Sequence, residues 1–294
     1  MHRTRSAIAT VATIVALTAL SAAVAQLTPL PREIQAAATR QDAAADPLTI
    51  LLMGSDARPG EQIDQGVRPD ALAVLHLDPA SGSCRLLSIP RDTRVDVAGY
   101  GMTKINHALM VGGIPLQQQT VEQFLGIEVD HYGLIDFTGT QQLIDAIGGL
   151  TVTNDAAFTV GPMTFEAGTL TLDGPQALLY ARYRGGPDGD FGRIQRQQDL
   201  IRAAIGQLAD QSPADLITAV LPALNDHTRT DLSPAELISL AATHQGTCHA
   251  ETIEMFILEG SVGVFFDPMF NVDLSYVVVD ETEVRQKVAA LTED

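Results

Sequence analysis

One stretch of the chain indicates the fold class: residues 48–58 read LTILLMGSDAR. Its first six residues form a continuous apolar run that ends at Gly54, and such a run is typical of a buried strand. Two more apolar runs follow at residues 71–77 and 84–89, and the turn sequence PASG separates them at residues 79–82. This pattern predicts a hairpin. We therefore expect a buried strand followed directly by a strand pair.

Segments with helical spacing alternate with further strand candidates along the rest of the chain. Ser233 and Glu236 have the spacing of a capping box, which marks a helix start. The predicted helices cover residues 115–125, 138–147, 173–183, 191–208 and 281–291, and the further strands cover residues 131–135, 150–153, 252–258 and 274–279. This alternation favours an α/β or α+β class, with a mixed central sheet between helical layers and a single domain over residues 46–294.

The N-terminus carries a separate signal. Residues 1–5 include Arg3 and Arg5, and residues 6–25 contain no charged side chain. The uncharged segment is long enough to span a bilayer, and the basic residues before it place the N-terminus in the cytoplasm. Two interpretations fit: an uncleaved transmembrane anchor, or a signal peptide cleaved after Ala25. Both put the folded domain outside the membrane, with residues 26–45 as a linker.

The charge balance limits the classes of ligand. The formal net charge is −18, which disfavours nucleic acid and anionic surfaces as partners. A phosphate site in such a chain must be a local cluster of basic residues. Residues 182–202 contain five arginines against three aspartates: Arg182, Arg184, Arg193, Arg196 and Arg202 against Asp188, Asp190 and Asp199. Arginine forks suit phosphate oxygens, but surface ion pairs with these aspartates are the alternative interpretation.

Two aspartates lie at neighbouring strand ends. Asp56 follows the first predicted strand and Asp70 precedes the second, so their carboxylates can face each other and suit Mg²⁺. Turn residues are the alternative interpretation. Two cysteines, Cys84 and Cys248, lie far apart in sequence, and both a disulfide and two separate buried thiols are compatible with that spacing.

Taken in order, the motifs are similar to those of a known family. The series is GSDAR at 54–58, RPD at 68–70, SIPRDT at 88–93, KINHA at 104–108, LDGPQALLYARYR at 172–184 and DFGRIQRQQ at 190–198. It resembles the LytR-CpsA-Psr family over about residues 48–205. The resemblance implies an α/β/α sandwich, an N-terminal transmembrane helix that anchors an extracytoplasmic domain, and an apolar pocket for a polyprenyl chain.

The resemblance also implies an activity and the residues that perform it. The activity is a phosphotransfer that attaches a polyprenyl-pyrophosphate-linked glycopolymer to peptidoglycan, with Mg²⁺ as cofactor. The alternatives are a polyprenyl-pyrophosphate hydrolase and a non-catalytic carrier-binding or envelope regulatory protein. The implied metal ligands are Asp56 and Asp70, the implied pyrophosphate-binding catalytic arginines are Arg91, Arg182 and Arg184, and the implied head-group residues are Arg58, Lys104, Arg193, Arg196 and Gln197. For the general base, Asp190 is the first candidate and Asp92 the second.

Overall fold

The computed structural model describes residues 46–57, 61–183, 189–209, 226–233, 236–237, 240, 244 and 247–293. For residues 189–194, 208 and 209 it describes the backbone alone. Within these residues, the strands in chain order are β1 (Leu48–Ser55), β2 (Pro69–Asp78), β3 (Ser83–Ser88), β4 (Arg94–Val97), β5 (Gly101–Lys104), β6 (His131–Ile135), β7 (Leu150–Asn154), β8 (Phe158–Val160), β9 (Met163–Phe165), β10 (Gly168–Leu172), β11 (Thr228–Thr230), β12 (Glu254–Ile257), β13 (Ser261–Asp267) and β14 (Val272–Val278). The helices are α1 (His107–Leu125), α2 (Phe137–Ala146), α3 (Gly174–Tyr180), α4 (Gly189–Ala209) and α5 (Glu281–Thr292).

A six-stranded mixed sheet lies at the centre, with the strand order β11-β6-β1-β2-β3-β12. Strand β1 runs antiparallel to β2 and parallel to β6. Strand β3 runs antiparallel to β2 and parallel to β12. The predicted hairpin of β2 and β3 is thereby confirmed, and β1 is a central strand because it has a partner on each side.

Side chains of β1 alternate between two apolar cores. Ile50 and Leu52 point into the core that contains residues of α2, α3 and α4. Leu51 and Met53 point into the opposite core, which contains residues of α1 and α5. Because successive side chains of a strand face opposite sides of the sheet, both faces are covered by helices. The predicted mixed sheet between helical layers is confirmed.

Helix boundaries differ from the sequence prediction by three residues or more at two places. Helix α1 begins at His107, well before residue 115, and its first turns are separated from the rest by Gly113 at φ 66°. A positive φ is available to glycine at little cost, so the chain can bend there before Pro115. Helix α3 ends at Tyr180, three residues before the predicted end, so that Ala181 and Arg182 lie in a turn.

Several hairpins were not predicted. They are the pairs β4–β5, β8–β9 and β13–β14. Strands β4, β5, β8 and β9 have only three or four residues each, and of the β13–β14 pair only β14 coincides with a predicted strand. No helix among the described residues is long and apolar enough to cross a membrane. The predicted transmembrane segment, residues 6–25, lies outside the described residues.

A disulfide links Cys84 to Cys248. Cys84 is buried in β3, within the core that also contains residues of α2, α3 and α4. The bond closes a loop of 164 residues. Of the two alternatives that the sequence allowed, the structure therefore has the disulfide.

Candidate functional site

The strand order brings Asp56 and Asp70 to one edge of the sheet. Asp56 follows the last residue of β1, and Asp70 is the second residue of the antiparallel β2. The Asp56 backbone N–H donates to the Arg68 carbonyl oxygen at 3.2 Å, and the Arg68 backbone N–H donates to Asp56 Oδ1 at 3.1 Å. These two hydrogen bonds close the base of the loop between the strands. They hold Asp56 beside the start of β2, as the sequence predicted.

Asp70 is buried, with 5% of its surface exposed. Burial raises the pKa of its carboxyl group, and the negative charge of Asp56 raises it further, while the ion pair with Arg91 opposes both effects. The pKa is raised on balance, so Arg91 does not fully compensate the cost of a buried charge at Asp70. A cation placed between the two carboxylates would lower that cost.

The Asp56 and Asp70 pair fits Mg²⁺ in its chemistry. Mg²⁺ is usually held by one or two carboxylates, with waters and phosphate oxygens as its other ligands. Among the described residues no group of three or more acidic, histidine or cysteine side chains forms a closed metal cage. Two carboxylates are within the number that Mg²⁺ usually takes from a protein.

Three more charged residues join the carboxylates. Arg91 forms an ion pair with Asp70, and its Nε lies 3.8 Å from Asp92 Oδ2. Lys104 Nζ donates to Asp92 Oδ1 at 2.8 Å. Asp70, Arg91, Asp92 and Lys104 therefore form a chain of ion pairs, and Asp56 adds a second negative charge next to Asp70; we call these five residues the charge network.

Backbone hydrogen bonds set the position of Arg91, Asp92 and Lys104. Pro90 ends the extension of β3, and its carbonyl oxygen accepts the Thr93 N–H at 3.0 Å to close a turn around Arg91 and Asp92. The Ile105 N–H donates to the Thr93 carbonyl oxygen at 2.9 Å. The KINHA segment is thereby held beside the SIPRDT turn, which explains why Lys104 meets Asp92.

The Arg182 segment is held by two side chains of α4. Gln197 Nε2 donates to the Ala181 carbonyl oxygen at 3.2 Å, and Arg196 Nη2 donates to the Tyr183 carbonyl oxygen at 2.8 Å. The Arg196 guanidinium also lies 5.1 Å from the ring centroid of Tyr183. Both side chains thus contact the backbone on either side of Arg182, a contact that the sequence did not predict.

An aromatic stack supports the same segment. The rings of Tyr183 and Phe158 are stacked with centroids 4.0 Å apart, and the Arg196 guanidinium lies 5.3 Å from the centroid of Phe158. Such cation–π contacts stabilise a partly buried guanidinium. Arg182 itself is half-buried.

Some predicted site residues lie outside what the structure describes. Arg58 and Arg184 are outside the described residues, and the structure describes only the helical backbone of Asp190 and Arg193. Their proposed roles stay predictions.

Comparison with known proteins now identifies the family. A family model described as the LytR_cpsA_psr family matches residues 13–293. The chain belongs to this family. A relative from Halalkalibacterium halodurans, named polyisoprenyl-teichoic acid–peptidoglycan teichoic acid transferase TagU, is 41% identical over 246 residues. That match covers 83% of this chain and 77% of the relative.

Solved structures of similar chains share the fold. B. subtilis TagV matches with a TM-score of 0.67 at 32% identity, over 84% of this chain and 97% of TagV. A structure of TagT bound to LI-WTA matches with a TM-score of 0.65 at 26% identity, over 84% of this chain and 89% of TagT. The α/β/α architecture that the resemblance implied is therefore the architecture of this LytR_cpsA_psr protein.

One buried polar cluster in this LytR_cpsA_psr chain was missed by sequence reasoning. Thr103 Oγ1 donates to Asp267 Oδ2 at 2.7 Å, and the Tyr276 hydroxyl donates to the same oxygen at 2.6 Å. His107 Nδ1 lies 2.7 Å from Thr103 Oγ1. Because the threonine proton is used on Asp267, His107 Nδ1–H is the donor of that contact.

All three titratable groups of the cluster have shifted pKa values, and that of Tyr276 is raised by burial. Desolvation lowers the pKa of His107 to about 4, although the charge of Asp267 opposes the shift. Burial raises the pKa of Asp267, but hydrogen bonds from Tyr276 and Thr103 and from two backbone N–H groups outweigh it, so that the pKa is lowered. At neutral pH the cluster is a neutral imidazole and a fully bonded carboxylate. It anchors β5, which ends with Lys104, to β13 and β14.

Proposed function

We propose that this protein is a phosphotransferase that attaches a polyprenyl-pyrophosphate-linked glycopolymer to peptidoglycan. The charge network carries the proposal: it combines two carboxylates suited to Mg²⁺ with Arg91 and Lys104, in a chain of net charge −18. Phosphoryl transfer depends mainly on positioning and on neutralising charge. Family membership and the transferase name of a relative at 41% identity support the same activity.

In this proposal, Asp56 and Asp70 would hold Mg²⁺, and the ion would neutralise negative charge on the pyrophosphate. Arg91 forms an ion pair with Asp70. Bidentate arginine contacts suit phosphate oxygens, so Arg91 is placed to exchange its carboxylate partner for the donor. Arg182 and Arg184 bind the same pyrophosphate. Arg58, Lys104 and Arg193 contribute further positive charge, while Arg196 and Gln197 hold the Arg182 segment in place.

The proposed reaction exchanges one phosphorus–oxygen bond for another. A sugar hydroxyl of peptidoglycan attacks the phosphorus nearest the glycan. The bond from that phosphorus to the bridging oxygen breaks, and polyprenyl phosphate leaves with the electron pair. The hydroxyl proton passes to a carboxylate of the protein. The polyprenyl chain lies in an apolar pocket of the protein, where each buried methylene contributes about 0.8 kcal/mol.

Asp190 is the first candidate for the general base and Asp92 is the second. The contacts of Asp92 with cations favour this ranking. Lys104 Nζ donates to Asp92 at 2.8 Å and Arg91 lies 3.8 Å away, so the Asp92 oxygens are already engaged by cations. We expect Asp190→Asn to reduce transfer far more than it reduces lipid binding. Equal losses of both would contradict the assignment of Asp190 as the base.

The proposed location is outside the cytoplasmic membrane. Residues 6–25 serve as a single transmembrane anchor with the N-terminus in the cytoplasm, and a cleaved, secreted form is the alternative. The Cys84–Cys248 disulfide supports an oxidising, extracytoplasmic compartment. Mass spectrometry of the membrane-bound and secreted protein would distinguish an intact N-terminus from a chain that begins at Gln26.

The deciding experiment uses the full chain with a radiolabelled polyprenyl-pyrophosphate glycan, peptidoglycan fragments and Mg²⁺. Arg182→Ala is the test variant, and Arg202→Ala, which removes an arginine of α4, is its matched control. Label on peptidoglycan with the parent and Arg202→Ala, but not with Arg182→Ala, supports the transferase. Label released into water indicates the pyrophosphate hydrolase. Donor binding without any product indicates the carrier-binding or regulatory alternative.

A further inference from the structure

The large hydrophobic side chains that are exposed in the described part of the chain all lie on two hairpins. Six are on or between β13 and β14, and two are on or next to β5. They are Tyr100, Met102, Val262, Val264, Phe265, Phe266, Phe270 and Val272. The hairpins adjoin, because a methyl group placed on Gly101 would lie 3.6 Å from Pro268. We call this surface the hairpin patch.

The β13–β14 hairpin has an unusual distribution of polarity. Its inner face contains the buried carboxylate of Asp267 and the buried ring of Tyr276. Its outer face contains Val262, Val264 and Phe266, whose exposed fractions are 77%, 68% and 55%. In a hairpin that faces water the apolar residues point to the core and the polar ones to solvent. Here three large apolar side chains of β13 point outward instead, opposite Asp273, Ser275 and Val277 of β14, so the β13 side of the outer face is complementary to an apolar environment.

The inner face cannot accommodate the exposed side chains. Tyr276 and Asp267 are hydrogen-bonded to each other at 2.6 Å, and the Arg94 guanidinium lies 4.6 Å from the ring centroid of Phe265. Rotating the hairpin to bury Val264 would place Asp267 in water and break these contacts. The apolar outer face is therefore fixed by the packing beneath it.

Charges around the hairpin patch identify the kind of surface that it fits. Residues 261–278 contain no lysine or arginine, and the exposed charged residues beside the patch are the acidic Asp96 and Asp273. Attraction to an anionic headgroup requires basic residues. The patch is thus suited to a surface that it enters by apolar contact alone, such as a bilayer of net-neutral lipids.

The position of the patch favours a bilayer over a second copy of the chain. Met102 is two residues from Lys104, about 7 Å along the strand. The Val277 N–H donates to the Asp92 carbonyl oxygen at 2.9 Å, so β14 is bonded directly to the charge network. A bilayer beneath the patch would place that network at headgroup level, where a lipid pyrophosphate lies. Residues 26–45 allow this contact, since a fully extended linker of that length spans about 70 Å.

We propose that the hairpin patch inserts into the outer face of the lipid bilayer and sets the height of the site above it. This inference rests on the proposed function in one respect, which is that the donor is a membrane lipid. Insertion of the Phe and Val side chains requires no charge on the lipid and withstands high salt.

The test measures depth in the full chain, reconstituted in phosphatidylcholine vesicles. Because Cys84 and Cys248 are joined, Val264→Cys introduces one free thiol for an environment-sensitive fluorophore. Thr169→Cys, at an exposed polar position of β10, is the matched control. With spin-labelled phosphatidylcholine present, we expect quenching at residue 264 to be at least about twofold stronger than at residue 169, as for side chains at the headgroup boundary. The difference should persist at high salt.

Two outcomes would overturn the inference. One is equal quenching at residues 264 and 169. The other is a fluorophore at residue 264 that is protected from quenching by aqueous iodide but is not quenched by the spin-labelled lipid. If that protection increases with protein concentration, the patch contacts a second copy of the chain. Neither readout requires a donor. A chain that inserts but transfers nothing would contradict only the proposed function, and a chain that transfers without inserting would contradict only this inference.

Discussion

Arg196 Nη2 donates a hydrogen bond to the carbonyl oxygen of Tyr183 at 2.8 Å, across the turn that carries Arg182. The same guanidinium lies over the stacked rings of Tyr183 and Phe158. A lysine at this position would keep the charge but lose the planar fork, which both contacts use. Arg196 is therefore a positioning residue for Arg182 rather than only another positive charge.

We expect Arg196→Lys to lower the rate of transfer about tenfold, which corresponds to about 1.4 kcal/mol of transition-state stabilisation. The donor KM should change little, because the overall charge of the site is retained. Steady-state kinetics of this variant beside Arg202→Lys, further along α4, checks this. A similar loss in both variants, or a change confined to KM, would contradict the positioning role.

Mg²⁺ should stabilise the folded chain through Asp56 and Asp70. At a free concentration of 100 times the Kd, a ligand specific to the folded state adds about 2.7 kcal/mol to the free energy of unfolding. Thermal unfolding with and without Mg²⁺ should show a rise in Tm for the parent, and none for Asp56→Asn or Asp70→Asn. Asp96→Asn is the control, because its carboxylate is exposed and lies on β4. A full Tm rise in Asp70→Asn would exclude Asp70 as a metal ligand.

His107 should make the stability of the folded chain depend on pH below about 6.5. Its pKa in the folded state is lowered to about 4, because burial outweighs the charges of Asp267 and Asp92, and Lys104 and Arg68 lower it further. As pH falls from 6.5 towards 4, His107 binds a proton in the unfolded chain but not in the folded chain. The free energy of unfolding therefore decreases over this pH range. The loss from this residue is at most roughly 3 kcal/mol.

Urea unfolding at a series of pH values measures that loss. His107→Gln should flatten the decline between pH 6.5 and 4 relative to the parent. His131→Gln provides the matched control, since its imidazole is partly exposed and paired with Asp231 at 2.9 Å. If both variants keep the slope of the parent, another group is responsible for the acid sensitivity.

Reducing the Cys84–Cys248 bond should destabilise the chain. A cross-link that closes a loop of 164 residues removes loop-closure entropy from the unfolded state, which corresponds to about 5 kcal/mol in the chain-entropy model. We expect dithiothreitol to lower the Tm of the parent, and to leave unchanged the already lower Tm of the Cys84→Ala/Cys248→Ala variant. Thiol titration must show two free thiols in the reduced parent. An unaltered Tm at that point would refute the prediction.

The sequence predicted those parts of the fold that short-range patterns encode. The apolar run of β1 and the turn between β2 and β3 are local signals, and so is the capping box, in which the side chains of Ser233 and Glu236 each accept the other's backbone N–H. The meeting of Asp56 and Asp70 was also predictable. The end of one strand and the start of the next antiparallel strand share one edge of a sheet.

Long-range contacts were not predictable from such patterns. Thr103 and Asp267 are 164 residues apart in sequence, and nothing near Asp267 indicates which hydroxyl it accepts. The valines and phenylalanines of β13 follow a pattern that predicts burial, yet they are exposed. Gln197 and Arg196 are polar residues at the start of a helix, and only the turn after α3 shows that their partners are backbone carbonyls.

The loop that begins at Asp56 and ends at Arg68 is closed at its base by two hydrogen bonds, so its two ends stay fixed relative to each other. Part of the loop is fixed as well, because Ile63 and Val67 are buried in the same apolar core as Leu51 and Met53 of β1. Gln62 and Gln65 are exposed and lie outside that core, so exchanging them is expected to leave Asp56 and Asp70 in place. These two positions are the natural ones at which to engineer the surface beside the site while its carboxylates stay unchanged.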